Sequence, residues 1–310
     1  SIAVFVIAIS SIILLTGYSG QVSLGHGALM AVGAYAAAVL RIQFNAPIIL
    51  CFVGAVLAAA VGGALLGAAA ARLSGPYLAG TTLALAVGLP SLANQFAVLG
   101  GEQGLGFDVG FPPLSLGEDF TQYKWFFWIA GLAALISIWS VRNILNSAYG
   151  RSWRAGRGNE VAAQLAGINT ARSKVLAFTI SAGIAGLAGA LLAMTIGTVS
   201  PSAFPLALSF SLLTGAVLSG ITTLGGVIIG AVVLVAIPEI ADVVAHRLGS
   251  SESVTTNLPG LIVSALLILT VLFVPNGPVE QHRARKAKHE AVHLSLIHIS
   301  EPTRHLRTSY

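Results

Sequence analysis

AFPLALSFSLLTGAVLSGITTLGGVIIGAVVLVAI (Ala203–Ile237) runs its whole length without one Asp, Glu, Lys or Arg. A helix needs roughly 20 apolar residues to cross a hydrocarbon core about 30 Å thick, so this run has room for two membrane elements broken at the glycine-rich SGITTLGG (Ser219–Gly226). The same pattern extends outward to Ser1–Leu15, Val22–Leu40, Ile48–Ala71, Leu78–Leu99, Trp125–Val141, Val175–Val199 and Leu258–Val274, each free of charge. Only 9% of the 310 residues are charged and 55% are hydrophobic. A soluble domain carries about a quarter charged residues, and a water-facing surface cannot be covered with so few.

Backbone groups in lipid must bond internally, and no strand-like alternation of polar and apolar residues occurs, so the elements are helices rather than barrel strands. The sequence therefore predicts an all-α, polytopic integral membrane protein of eight to nine membrane elements, some broken or re-entrant. Arg142, Arg151, Arg154, Arg157, Arg172 and Lys174 face a single acid, Glu160, between two runs. That excess marks segment 142–174 as cytoplasmic. The tail is also basic, through Arg283, Arg285, Lys286 and Lys288. An even number of crossings must separate the two, which requires splitting Ala203–Ile237 and puts Gly100–Tyr123 outside. The expected organisation is one transmembrane domain over 1–278, a cytoplasmic loop at 142–174 within it, and a basic cytoplasmic tail at 279–293. Segment 294–310 resembles translated adapter read-through and is set aside as non-native. The start at Ser1, without Met and inside an apolar run, predicts a truncated N-terminus. The formal charge of +5 is explained by residues flanking spans, not by a nucleic-acid partner. The lone Cys51 sits in an apolar run with no metal-ligand spacing around it, and reads as a small buried hydrophobe.

In GYSGQVSLGHGALMAVGAY (Gly17–Tyr35), glycines and hydroxyls interrupt the membrane pattern before an apolar helix resumes. Two readings stay open. One is a short loop followed by a packed helix. The other is a broken helix lining a pathway, since broken backbone at membrane depth is tolerated where protein shields it or water reaches it. In the second, Gln21, Ser23 and His26 are lining groups, and His26 is no metal ligand because no second ligand stands nearby. Ser219, Thr222 and Thr223 are the matching candidates in the second glycine-rich break. Ser19-Gly20 with Ser23-Leu24-Gly25 also recurs as Ser219-Gly220 with Thr223-Leu224-Gly225, either by chance or as the trace of two repeats placed on the same side.

GRSWRAGRGNEVAAQLAGINTARSKVLAFTIS (Gly150–Ser181) is the longest charged stretch between two runs. Asn159 is a capping residue, Glu160 suits the positive end of a helix, and Gly167 suits a left-handed end. A helix of about two turns over 160–166 follows, with Ala162 and Ala163 small enough to permit close contact with another protein. A solvated loop held to lipid headgroups by its arginines is the alternative.

Together these two segments resemble the permease subunits of ABC importers for branched-chain amino acids, of the M type found in leucine/isoleucine/valine systems. GGEQGL (Gly100–Leu105), AFTISAGIAGLAGAL (Ala177–Leu191), Val199–Pro201 and VLSGITTLGGVIIGA (Val217–Ala231) extend the likeness from about Leu14 to Gly277. The resemblance implies that EVAAQLAG (Glu160–Gly167) is the EAA loop that docks on an ATPase, with Asn159, Glu160, Ala162, Ala163 and Gly167 as coupling residues. The Ile-x-Leu-Pro ending of other ABC permeases is absent, and Gly156 and Gly158 stand where relatives carry larger residues, which would loosen the lead-in to that helix. It further implies two ATPase subunits, a second permease subunit in a heterodimer, a periplasmic solute-binding protein, a location in the bacterial or archaeal cytoplasmic membrane, and no cofactor on this chain, ATP and Mg²⁺ being held by the partners. Within the wider superfamily the cargo includes urea, amides, sugars and nucleosides.

The chain has no G-x-x-x-x-G-K-[ST] phosphate loop, so a motor must come from another chain. An ion-coupled transporter needs ionisable groups within the membrane, for which Glu239 and Asp242 are the candidates. No nucleophile–base set, paired acids or H-E-x-x-H motif points to an enzyme.

Overall fold

The computed structural model describes residues 1–73, 75–110, 112 and 121–247, with isolated positions of the last apolar run (258, 261, 262, 264, 265, 268, 269 and 272). The expected tail segments 279–293 and 294–310, and the side chain of Asp242, lie outside the described residues. The described chain is helical. In order come α1 (Ile2–Ile12), continued by a π-turn (Ile13–Tyr18), then α2 (His26–Phe44), α3 (Ile48–Ala70), α4 (Pro76–Gln95) and α5 (Gln122–Asn146). Then follow α6 (Ala148–Gly158), α7 (Glu160–Leu165), α8 (Thr170–Ile196), α9 (Leu206–Ser219) and α10 (Val227–Arg247).

Five of these are long and apolar enough to cross a membrane: α2, α3, α5, α8, and α9 taken from Pro201. A sixth is α4 if its continuation through Ala97–Gln103, bent by 101°, belongs to the same span. The remaining apolar helices, Ile2–Tyr18 and Leu224–Ile240, are shorter. The described residues thus hold five or six full-length spans and two shorter apolar helices, and the last expected element, Leu258–Val274, falls largely outside them. The long run divides at SGITTLGG as its composition predicts, with α9 before it and α10 after it. The first break delays α2 to His26, four residues past the start of its apolar run.

In lipid, helices gain nothing by hiding apolar surface, so small side chains that allow close backbone contact decide which faces meet. α3 shows this directly. Cys51, Ala55, Ala59, Gly63 and Gly67 recur every fourth residue and are buried, whereas Ile49, Val53, Leu57, Val61 and Leu65 recur with the same spacing and are exposed. The bulky stripe suits lipid and the small stripe meets α8. In α8 small residues occur all round, and Ala182, Ala185, Gly186, Ala188 and Gly189 are all buried. It sits between α1, α2 and α3. A methyl on Gly186 would come within 2.4 Å of the Ala59 Cβ, and one on Gly33 of α2 within 2.4 Å of the Gly186 backbone. α1 is also central, with Ile7, Ile9 and Ile12 fully buried, as is Ile13 of the π-turn.

At one end of the bundle, β1 (Leu105–Gly106) pairs antiparallel with β2 (Thr198–Val199), and Arg41 donates to the Asp108 carbonyl at 3.0 Å. At the other end, α6 and α7 join α5 to α8. GGEQGL and the basic loop therefore lie at opposite ends of the bundle.

Candidate coupling and translocation site

The basic end is more structured than its charge density suggests. Beyond the expected short helix it holds the eleven-residue α6, which charged composition masks. Ser147 caps it by accepting from the Tyr149 amide at 3.2 Å. Gly150 and Trp153 are its buried side, with the Trp153 indole donating to the Ser173 carbonyl at 2.9 Å. Two of its arginines close off carbonyls of α5, Arg151 bonding Asn146 at 3.2 Å and Arg154 bonding Leu145 at 3.3 Å. Gly156 and Gly158 do not unwind this segment, which stays helical through Gly158. Its other contacts hold it.

Asn159 ends α6 and begins α7, its side chain accepting from the Ala162 amide at 3.0 Å. Gly167 has φ +82°. Its amide bonds the Gln164 carbonyl, and that of Ile168 bonds the Ala163 carbonyl, the paired bonds of a Schellman end. The helix closes one residue earlier than expected, at Leu165, with Ala166 as cap. Glu160 does more than complement a helix end. Both carboxylate oxygens take Lys174, at 2.8 and 2.9 Å, and this contact holds its pKa below the ordinary value against a smaller opposing effect of burial. The two alanines divide: Ala163 is buried against the protein and Ala162 is exposed. The outward apolar residues are Val161 and Leu165, 65% and 86% exposed. Sequence reading passed over these two because an i, i+4 pair in a six-residue helix has no periodicity to detect.

At the first break the π-turn gives way to Ser19, and Gly20 takes φ +73°. The chain from Gly20 to Gly25 is non-helical and bonds to its neighbours instead. Thr16 donates to the Gln21 carbonyl at 3.1 Å, and the Leu24 amide donates to Thr82 of α4 at 3.0 Å. The Gly27 amide donates to Ser209 of α9 at 3.0 Å. Gln21 is buried, its amide nitrogen 2.5 Å from Ser19 Oγ and its Oε1 without a hydrogen-bond partner.

Ser23 and His26 do come together, and a residue from α8 joins them. The His26 Nδ1 lies 3.1 Å from Ser23 Oγ and Nε2 lies 2.9 Å from Ser181 Oγ. Ser181 spends its proton on the Ser11 carbonyl at 2.8 Å. Its oxygen must then accept from His26 Nε2–H, leaving Nδ1 to accept from Ser23. All three side chains are buried. Ser181 is eleven residues into α8, about 16 Å along the helix, so the break climbs from the basic end to the middle of the bundle before α2 begins.

The second break shares a positive-φ glycine with the first. Gly220 has φ +82°, matching Gly20. Ser219 donates to the Gly215 carbonyl at 2.7 Å and Thr223 to the Ser219 carbonyl at 3.0 Å. Both are buried, whereas Thr222 is half-buried. The two breaks touch: a methyl on Gly17 would overlap the Ile221 carbonyl oxygen. Among the described residues no group of three or more His, Cys, Asp or Glu is placed to hold a metal ion.

Residues 1–272 match the family described as branched-chain amino acid transport system / permease component. The high-affinity branched-chain amino acid transport system permease protein LivM of Escherichia coli K12 is 32% identical, the match covering 84% of this chain and 64% of that protein. LivH of the same strain, a permease protein of the same description, is 31% identical over 62% of this chain and 54% of its own. A probable ABC transporter permease, YphD, is 40% identical over 26% of this chain. The chain thus spans less than two thirds of the length of these relatives. No solved structure matches it. With a polytopic helical membrane fold and a family match running from residue 1 to 272, the chain belongs to the permease components of branched-chain amino acid transport systems.

Proposed function

We propose that this chain is a membrane-spanning subunit of an ATP-driven importer in a bacterial inner membrane, passing branched-chain amino acids delivered by a periplasmic binding protein. Two ATPase subunits on other chains supply ATP and Mg²⁺, and a second permease subunit completes the pathway. The observation that carries the reading is α7, a capped helix at the basic end with Val161 and Leu165 turned outward. An apolar pair this exposed on a capped helix suits a groove on a partner protein. Glu160, Asn159 and Gly167 hold that helix in shape, and Ala163 seats it on the permease. The two breaks are the non-helical backbone from which a pathway is built, with Gln21, Ser23, Thr222 and Thr223 in them and His26 and Ser219 at the helix ends beside them.

Reconstitution in vesicles tests this. With the second permease subunit, both ATPases and the binding protein, uptake of leucine, isoleucine or valine should require ATP and survive an uncoupler. Uptake that collapses with the uncoupler and runs without ATPases would make the chain an ion-coupled transporter, and ATP-driven uptake of urea or a sugar alone would reassign the cargo.

A further inference from the structure

We propose that Arg157 is the positioning residue that carries movement of the α6–α7 loop into the two broken helices, with Arg154 as its auxiliary. The inference rests on the reading of α7 as the ATPase-docking helix. Arg157 donates through Nη1 to the carbonyl of Gly17, at the end of the π-turn. Its stem also covers Gly20, where an added methyl would lie 2.9 Å from Arg157 Cγ. One turn earlier, Arg154 sits over the Tyr18 ring, 5.7 Å from the centroid, while bonding the end of α5. Two arginines of one helix thus hold three of the four residues from Gly17 to Gly20.

The acceptor is what makes this more than a helix cap. Helix-terminal carbonyls attract guanidinium groups in general, but Gly17 is the point at which the first break meets Ile221 of the second. A pull there reaches both. On the loop side, Asn159 is shared between α6 and α7, so a shift of α7 that keeps this cap intact also moves the last turn of α6, where Arg157 stands. Trp153 is anchored to α8 one turn before and supplies a pivot. From Gly20 the chain leads in six residues to His26 and its bonds to Ser23 and Ser181. The path from docking helix to mid-bundle is therefore continuous, and Arg157 is its narrowest link.

The test uses the reconstituted complex with its binding protein. Cys51 is the single cysteine, so Cys51→Ala followed by Ser19→Cys places one reporter thiol at the break. With Arg157 present, its labelling rate should change between the ATP-free and vanadate-trapped states. Arg157→Ala should abolish that change and lower uptake at least about tenfold, the order expected for losing one charge-assisted hydrogen bond, while the ATPases still co-purify. Arg157→Lys, which keeps charge without the guanidinium fork, should fall between. Full uptake and an undiminished labelling change in Arg157→Ala would overturn the proposal, as would a loss explained wholly by lower folded yield with the labelling change intact. Val161→Asp with Leu165→Asp reports on the underlying reading separately: if it leaves the ATPases bound, the docking assignment fails whatever Arg157 does.

Discussion

The imidazole of His26 and the hydroxyl of Ser181 meet at 2.9 Å across 155 residues of sequence, joining the start of α2 to the middle of α8 and, through Ser181, to the backbone of α1. Every donor and acceptor in this set is used, which is the condition for burying polar groups without a large penalty. Ser181→Ala should leave His26 Nε2–H unpaired and cost about 1–3 kcal/mol, reduced toward about 0.6 kcal/mol if the membrane reference state finds other partners. Thermal unfolding in detergent should show a non-additive His26→Ala, Ser181→Ala pair; additive losses would mean the bond contributes nothing.

Close approach predicts opposite outcomes for two helical glycines. Gly186→Ala meets Ala59 Cβ at 2.4 Å and the Ala55 carbonyl at 2.7 Å, so α3 must separate from α8, at a cost of about 1–3 kcal/mol or more. Gly88 of α4 has nothing within 4 Å, and Gly88→Ala should stabilise by roughly 0.5–1 kcal/mol through helix propensity. Melting temperatures of the two variants in one detergent decide the matter by their signs.

At the end of α7, space is free but the backbone is not. Around Gly167 nothing lies within 4 Å of an added Cβ, yet φ is +82°, so Gly167→Ala carries about 1–2 kcal/mol of left-handed strain. Gly167→Trp adds bulk where the ATPase would sit. Both should reach the membrane, with weakened stimulation of ATP hydrolysis by loaded binding protein, the Trp variant more so. Glu160→Ala should be milder, at about 0.3–1 kcal/mol for a charge at a helix N-terminus. Unchanged stimulated hydrolysis in Gly167→Trp would remove this helix from coupling.

Lys174 sets the pH response of Glu160. Because the folded pKa is lowered from 4.5, the pair stabilises the loop above that value and is lost as pH falls through the lowered one. Glu160 is 42% exposed in its side chain, so screening holds the contribution to about 0–1 kcal/mol. Carboxyl chemical shifts followed by NMR should give a lower midpoint in the unmodified protein than in Lys174→Gln. Equal midpoints would show that the contact is not formed in solution.

Read residue by residue, the sequence by itself determined the membrane class, the helical fold, the division of Ala203–Ile237 at SGITTLGG, and the short helix between the Asn159 cap and Gly167. Each is a local matter: span length, uninterrupted hydropathy, a capping side chain, a glycine free to take positive φ. The two breaks were visible for the same reason, as polar and glycine residues inside apolar runs. Only tertiary structure decided what those breaks touch. Ser181, Thr82 and Ser209 are ordinary hydroxyls in apolar helices, and nothing in their spacing distinguishes them from lipid-facing ones. Arg157 read as one of six basic residues flanking a span until α6 brought it to Gly17. Local rules act over a turn or two of chain, whereas hydrogen bonds between elements 58 to 182 residues apart depend on how helices pack. In lipid that packing follows from small-residue contact between distant faces such as Gly33 and Gly186, which no window of sequence contains.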